Sequence, residues 1–240
     1  MERGNDPMDA AGAASVLQWW QDAGVDVLVD ETPRDWLRPK AKAAPVEAPA
    51  ARPAEALPDQ LDLFQAYLRE SSALPFASGA ARRVCPAGDP AAGLMIVTDM
   101  PAAEDCSTGT LLSGEVGKLF DRMLAAIGRD RNSIYLASLS CLRSPDGRFT
   151  SDAAQQCAAL ARHHIGLAGP KALLLFGDAP AKALTGMSMA QARGRWHEVA
   201  THAGQIRTIV TLPPSYLLNQ PAAKAHAWAD LQLLMEGLNQ

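Results

Sequence analysis

The feature that most constrains this chain is an alternation of two apolar periodicities that begins near residue 94. Leu94-Met95-Ile96-Val97 is a short unbroken apolar run, the pattern of a strand covered on both faces. Val116, Leu119, Phe120, Met123, Leu124 and Ile127 then recur at helical spacing, and Gly128 supplies the stop. Ile134 to Leu139 reads as a second strand, Ser151-Asp152 opens a helix to about Leu167, and Lys171 to Phe176 reads as a third strand. A short helix from Gly177-Asp178 to near Gly186 follows, then a fourth strand over Ile206 to Leu212. Pro221 stands at the start of a last helix carrying Trp228, Leu231, Leu234, Met235 and Leu238. Strands that alternate with helices predict an α/β fold, a mostly parallel four-stranded sheet with helices on both faces.

Upstream the composition changes. Pro39 to Pro58 contains eight Ala and five Pro and has almost nothing to bury. Such a stretch reads as a semi-extended linker with a reach of roughly 60 Å at polyproline rise. Before it, Ser15 to Leu37 holds three of the chain's five tryptophans, too few apolar residues for a core of their own. Val16, Trp19 and Trp20 share one side of a short helix, and Trp36 lies further on. They either pack back on the main domain or, the reading preferred here, anchor a partner. The expected organisation is a Trp-rich docking segment over 1–38, a linker over 39–58 and a folded domain over 59–240.

Several functional classes are excluded early. Apolar residues make up 48% and charged residues 20%, against wholesale disorder, and no apolar run is long enough to span a bilayer. Glu2, Asp6 and Asp9 interrupt the N-terminus, so a secretory leader is not expected. The net charge of −4 argues against bulk attraction to nucleic acid or to an anionic membrane, leaving DNA contact to a local basic patch. Cys85, Cys106, Cys141 and Cys157 contain no C-x-x-C pair and do not form a disulfide framework in a chain this long, which fits a cytoplasmic protein.

In a parallel sheet, chemistry belongs at the carboxyl ends of the strands, here the loops 98–114, 137–148 and 212–218. Read together, they resemble the uracil-DNA glycosylases of the iron–sulfur type. Thr98-Asp-Met-Pro-Ala-Ala-Glu-Asp105 is similar to that family's first motif, and Gly109, Gly114, Gly117 and Leu119 continue the match without a gap. Cys141 and Cys157 have the spacing of the family's second cysteine pair. Leu175-Phe-Gly-Asp-Ala-Pro-Ala181, Arg193-Gly-Arg-Trp196, Pro214-Ser-Tyr-Leu-Leu218 and the helix from Lys224 to Leu231 resemble its later blocks, so the resemblance spans residues 70 to 238.

That resemblance implies a pocket made by Asp99, Pro101, Glu104, Leu112, Ala137, Pro213, Pro214 and Ser215. It also implies that the pocket is vestigial. The family's stacking Phe falls on Leu112, which has no π face, and its base-reading Asn falls on Ala137. Its catalytic His falls on Pro213, which has neither imidazole nor N–H. A lost transition-state donor costs about 2.7–4 kcal/mol, and each missing base-reading bond about 1–3 kcal/mol. Of the acids, Asp99 remains to activate water, with Glu104 as a substitute.

A [4Fe–4S] centre needs four thiolates, and the family's first cysteine pair corresponds to about Ser71 and Leu74. No cofactor is therefore expected, and the cysteines read as small buried hydrophobes. His163, His164, His197, His202 and His226 show no metal-ligand spacing, so no metal is expected either. Arg193 and Arg195, beside Trp196, either contact phosphate or sit on a solvated turn.

A second resemblance concerns the psi subunit of the bacterial DNA polymerase III clamp loader. It rests on Leu17-Gln-Trp-Trp20…Gly24-Val25…Trp36, on Leu94-Met-Ile-Val-Thr-Asp-Met-Pro101 and on Asn219-Gln-Pro221…Lys224…Trp228, in that order. It implies a noncatalytic replication or repair adaptor whose N-terminal segment docks on the clamp loader. The alternative is a DNA glycosylase with an atypical active site.

Overall fold

In the computed structural model the described residues are 10–22, 57–79 and 81–238. Trp36 and residues 39–56 of the expected linker lie outside them. The chain divides into two units, Met1–Glu55 and Ala56–Gln240, a boundary inside the Ala/Pro-rich stretch.

In the first unit, α1 spans Ala10–Asp22. Val16, Trp19 and Trp20 are exposed, Trp19 at 63% and Trp20 at 48%, and the two indoles meet edge to face at 5.2 Å.

The second unit is an α/β domain with a sheet of six strands: β1 (Ala87–Gly88), β2 (Leu94–Thr98), β3 (Tyr135–Ser138), β4 (Ala172–Phe176), β5 (His197–Thr201) and β6 (Gly204–Thr211). Their order is β1-β3-β2-β4-β6-β5. The inner four, β3-β2-β4-β6, are parallel and coincide with the four strands legible in the sequence. The edge strands β1 and β5 are antiparallel and were not anticipated. β1 is two residues long, and β5 carries Glu198 outward and buries only Val199 within His197–Thr201, so neither shows an apolar run. Charged, short edges also block pairing with other chains.

Helices cover both faces: α2 (Leu61–Glu70), α3 (Ala103–Thr108), α4 (Gly114–Ala126), α5 (Ser151–Ala168), α6 (Asp178–Thr185), α7 (Met189–Ala192), α8 (Pro214–Asn219) and α9 (Lys224–Leu238). Alternation within the buried strands feeds two cores. Leu94, Ile96, Leu174 and Phe176 pack with Phe120 and Leu124 of α4 and Leu231 and Leu234 of α9. Met95, Val97, Leu173 and Leu175 pack with Cys157, Ala161 and Ile165 of α5 and Ala181 and Leu184 of α6. No helix among the described residues is long and apolar enough to cross a membrane.

Candidate functional site

The chain leaves β2 for α4 on one face and leaves β4 for α6 on the other, although β2 and β4 are neighbours. Their carboxyl ends therefore border a crevice at a topological switch point, where open α/β sheets bind ligands. A cleft of about 280 Å³ opens there. Asp99, Glu104, Leu112, Pro213 and Ser215 line it, as the sequence implied. Three other residues named from the sequence do not. Ala137 points to the opposite face, where it packs in the α5 core, because residue alternation along β3 directs it there. Pro101 is buried and offers its carbonyl to Arg143 Nη1 at 3.0 Å, and Pro214 is the buried first residue of α8.

Residues beyond those named for the pocket also shape the cleft. Asp105, buried within the first turn of α3, accepts from Ala102 N at 3.0 Å, Ser113 N at 2.8 Å and Ser113 Oγ at 2.7 Å. One carboxylate thus ties α3 to the start of α4. The acid at the third position of a helix was the available sequence signal. Leu112 adopts φ +51, a left-handed conformation that costs a branched residue roughly 1–2 kcal/mol. It is held by Arg131, which donates to the carbonyls of Leu111 at 2.8 Å and Leu112 at 2.7 Å. Gly117 is needed beneath it, since a Cβ there would strike the Leu112 carbonyl. Strain of this kind persists only where neighbours over-determine it, and it concentrates at ligand sites.

The charged groups at the cleft are Asp99, Glu104, Asp105 and Asp178 against Arg143. Asp99 opens onto the mouth and accepts from Met100 N at 2.8 Å. Loss of water to the surrounding walls lifts its carboxyl above the ordinary range, against the pull of the Met100 N–H and of Arg143, and the Asp178 charge lifts it further. Asp178 is held low by its ion pair with Lys182 and by Met189 N. The arrangement can position and deprotonate a water at Asp99. Among the cleft-lining residues there is no imidazole or carboxamide to steady a departing base or read its edge.

A four-cysteine cluster would have to be built from these thiols. Cys141 and Cys157 border a cavity of only about 20 Å³, together with Phe64, Leu68 and Leu74. Burial pushes the Cys141 thiol up to about 12 and Cys157 up to about 11. Cys85 is an electrostatic neighbour of Cys141, whereas Cys106 packs in the core on the α4 face. At the positions of the absent pair, Leu74 is buried in an apolar cluster, and Arg83 donates to the carbonyls of Leu68 at 2.9 Å and Ser71 at 2.7 Å. Among the described residues no three His, Cys, Asp or Glu side chains are grouped to hold a metal ion. This donor set does not fit a [4Fe–4S] centre.

The two arginines named from the sequence lie away from the cleft. Arg193 Nε binds the buried Asp230 at 2.8 Å, and that carboxylate also accepts from Gly194 N and Thr211 Oγ1. The guanidinium of Arg193 therefore serves the fold. Arg195 is exposed and donates to the Gln191 carbonyl at 3.0 Å.

Fold and cleft together define an α/β protein with its site at the carboxyl edge of a parallel sheet. The chain belongs to the uracil DNA glycosylase superfamily, whose family model matches residues 85–232, more than half of the chain. It is similar to the type-4 uracil-DNA glycosylase of Pyrobaculum aerophilum, 23% identical over 157 residues, covering 62% of this chain and 80% of the relative. It is likewise similar to the type-4 uracil-DNA glycosylase of Archaeoglobus fulgidus, 21% identical over 156 residues, covering 62% of this chain and 78% of the relative.

Proposed function

We propose that this chain is a noncatalytic replication or repair adaptor, built on a degenerate uracil-DNA glycosylase fold and tethered to its partner by the Trp-bearing α1. The single observation that carries the reading is Pro213. It presents a pyrrolidine ring to the cleft at the position where the resemblance calls for a catalytic imidazole. Leu112, also lining the cleft, supports it, since it supplies no ring for stacking. The exposed Trp19 and Trp20 support the docking role, because buried Trp anchors dominate many interfaces. The clamp loader is the proposed partner, on the order of the psi-like motifs.

One observation favours a second reading, a glycosylase of altered preference. Asp99 remains in the cleft with its carboxyl lifted, as a water-activating group would be. One assay separates the two. Uracil-containing single- and double-stranded oligonucleotides incubated with the full chain should give no abasic product above the blank. Robust excision, lost in Asp99→Ala, would sink the adaptor reading. Clamp-loader binding by the full chain, abolished in a Trp19→Ala, Trp20→Ala double variant whose melting temperature is unchanged, would support it.

A further inference from the structure

A second surface of the folded unit has the shape and charge of an interface. In α4, Leu119, Arg122, Met123 and Ala126 recur at i, i+3, i+4 and i+7, one stripe along the helix. In α9, Lys224, Ala227, Trp228 and Leu231 form a stripe of the same spacing, and Leu217 of α8 closes the floor. Between them lies a groove of about 190 Å³, enough for one or two large apolar side chains. Two helical ridges with an open furrow between them form the surface into which a third amphipathic helix packs.

Exposure singles out the same corner. Of the four large apolar side chains exposed among the described residues of this unit, Leu63, Tyr216, Leu218 and Trp228, three come from α8 and α9. Trp228 lines the groove and is 40% exposed, an arrangement more typical of an interface anchor than of a monomer surface. Charge narrows the choice of occupant. Each ridge contributes one cation, Arg122 and Lys224, and neither is in an ion pair among the described residues. Nearby Lys118 and Arg131 are already matched, to Glu115 and Asp121.

We propose that the α4–α8–α9 groove is a docking surface for an acidic amphipathic helix of a protein partner. Its apolar stripe would insert beside Trp228 and Met123, with carboxylates reaching Arg122 on one side and Lys224 on the other. The proposal rests on the adaptor reading in one respect, that an adaptor needs a surface besides its tether.

The test uses the full chain and two labelled synthetic helices of about 15 residues. Both carry Leu and Trp on one stripe; one has Glu on both flanks, its twin Lys. The Glu helix should bind, the Lys twin about tenfold more weakly or less. Trp228→Ala and Arg122→Glu should each weaken the Glu helix by about tenfold, with melting temperature unchanged for Arg122→Glu. Equal binding of the twins, or wild-type affinity in both variants, would overturn the proposal. So would self-association of the wild type that Trp228→Ala abolishes, or binding of a thymidine oligonucleotide that Arg122→Glu abolishes. The Trp19→Ala, Trp20→Ala chain should bind the Glu helix normally, so a failed tether and a failed groove give different results.

Discussion

Two polar regions of the folded unit treat their side chains in opposite ways. In the corner where α2 meets α5, Gln65 Nε2 donates to the Tyr135 hydroxyl at 2.9 Å, and that hydroxyl and His164 Nε2 hydrogen-bond at 2.8 Å. His163 Nε2 bonds the Pro58 carbonyl at 2.7 Å, and Phe64 packs against both histidine rings. These side chains find partners inside the protein, and burial favours the neutral forms of Tyr135 and His164. At the cleft, Asp99 has one backbone partner and faces solvent, and Leu112 holds a strained backbone. Internally paired polar groups mark where the chain is glued together, and solvent-facing ones such as Asp99 mark where it can still meet a ligand.

The sharpest way to break this contrast is to remove the corner's centre. Phe64→Ala should cost about 3–5 kcal/mol, since the ring is fully buried, and calorimetry should show a large fall in Tm with the cleft residues untouched. Next comes pH. Burial, aided by His163, holds His164 at about 4, below its ordinary 6.5. As pH falls below 6.5 the unfolded chain takes up the proton first, so this contribution is complete above 6.5 and is lost between 6.5 and 4. Denaturant titrations should register up to about 3 kcal/mol across that window, and His164→Gln should flatten it.

Smaller effects belong to the cleft. Asp105→Ala leaves the Ser113 and Ala102 amides without their acceptor and should cost about 1–3 kcal/mol, read from urea midpoints at constant slope. Asp99→Asn should have the least effect. A carboxyl lifted in the folded state favours folding at low pH and loses that contribution as pH rises through its folded value. At neutral pH the neutral amide should therefore leave Tm unchanged or slightly raised, while in Ala-scanned corner positions Tm falls.

Much of this was readable from the sequence because burial writes itself into pattern. β2 and β4 are buried at every position and apolar at all but Thr98, so their existence, and with it the loops at their carboxyl ends, followed directly. β5 escaped because an edge strand covered on one side mixes His, Glu and Thr with a single buried Val199. The loop motifs located the cleft, yet residue alternation along β3 moved Ala137 out of it, a one-residue matter that a motif alignment does not resolve. Asp105 and Arg131 were missed because what they do depends on backbone carbonyls and amides brought close by folding. Arg193 read as a free cation because its partner, Asp230, is 37 residues away.

The lock formed by Leu112, Gly117 and Arg131 bears on what residue 112 can present to the cleft. The backbone lock that aims residue 112 at the cleft is intact, and only the group it presents is aliphatic. Leucine and phenylalanine, like proline and histidine, are separated by single-nucleotide steps between some of their codons. A lineage carrying this lock therefore stays within short mutational reach of an aromatic ring at 112 and an imidazole at 213. Replacing Gly117 first would close that path, because any side chain there displaces the Leu112 carbonyl.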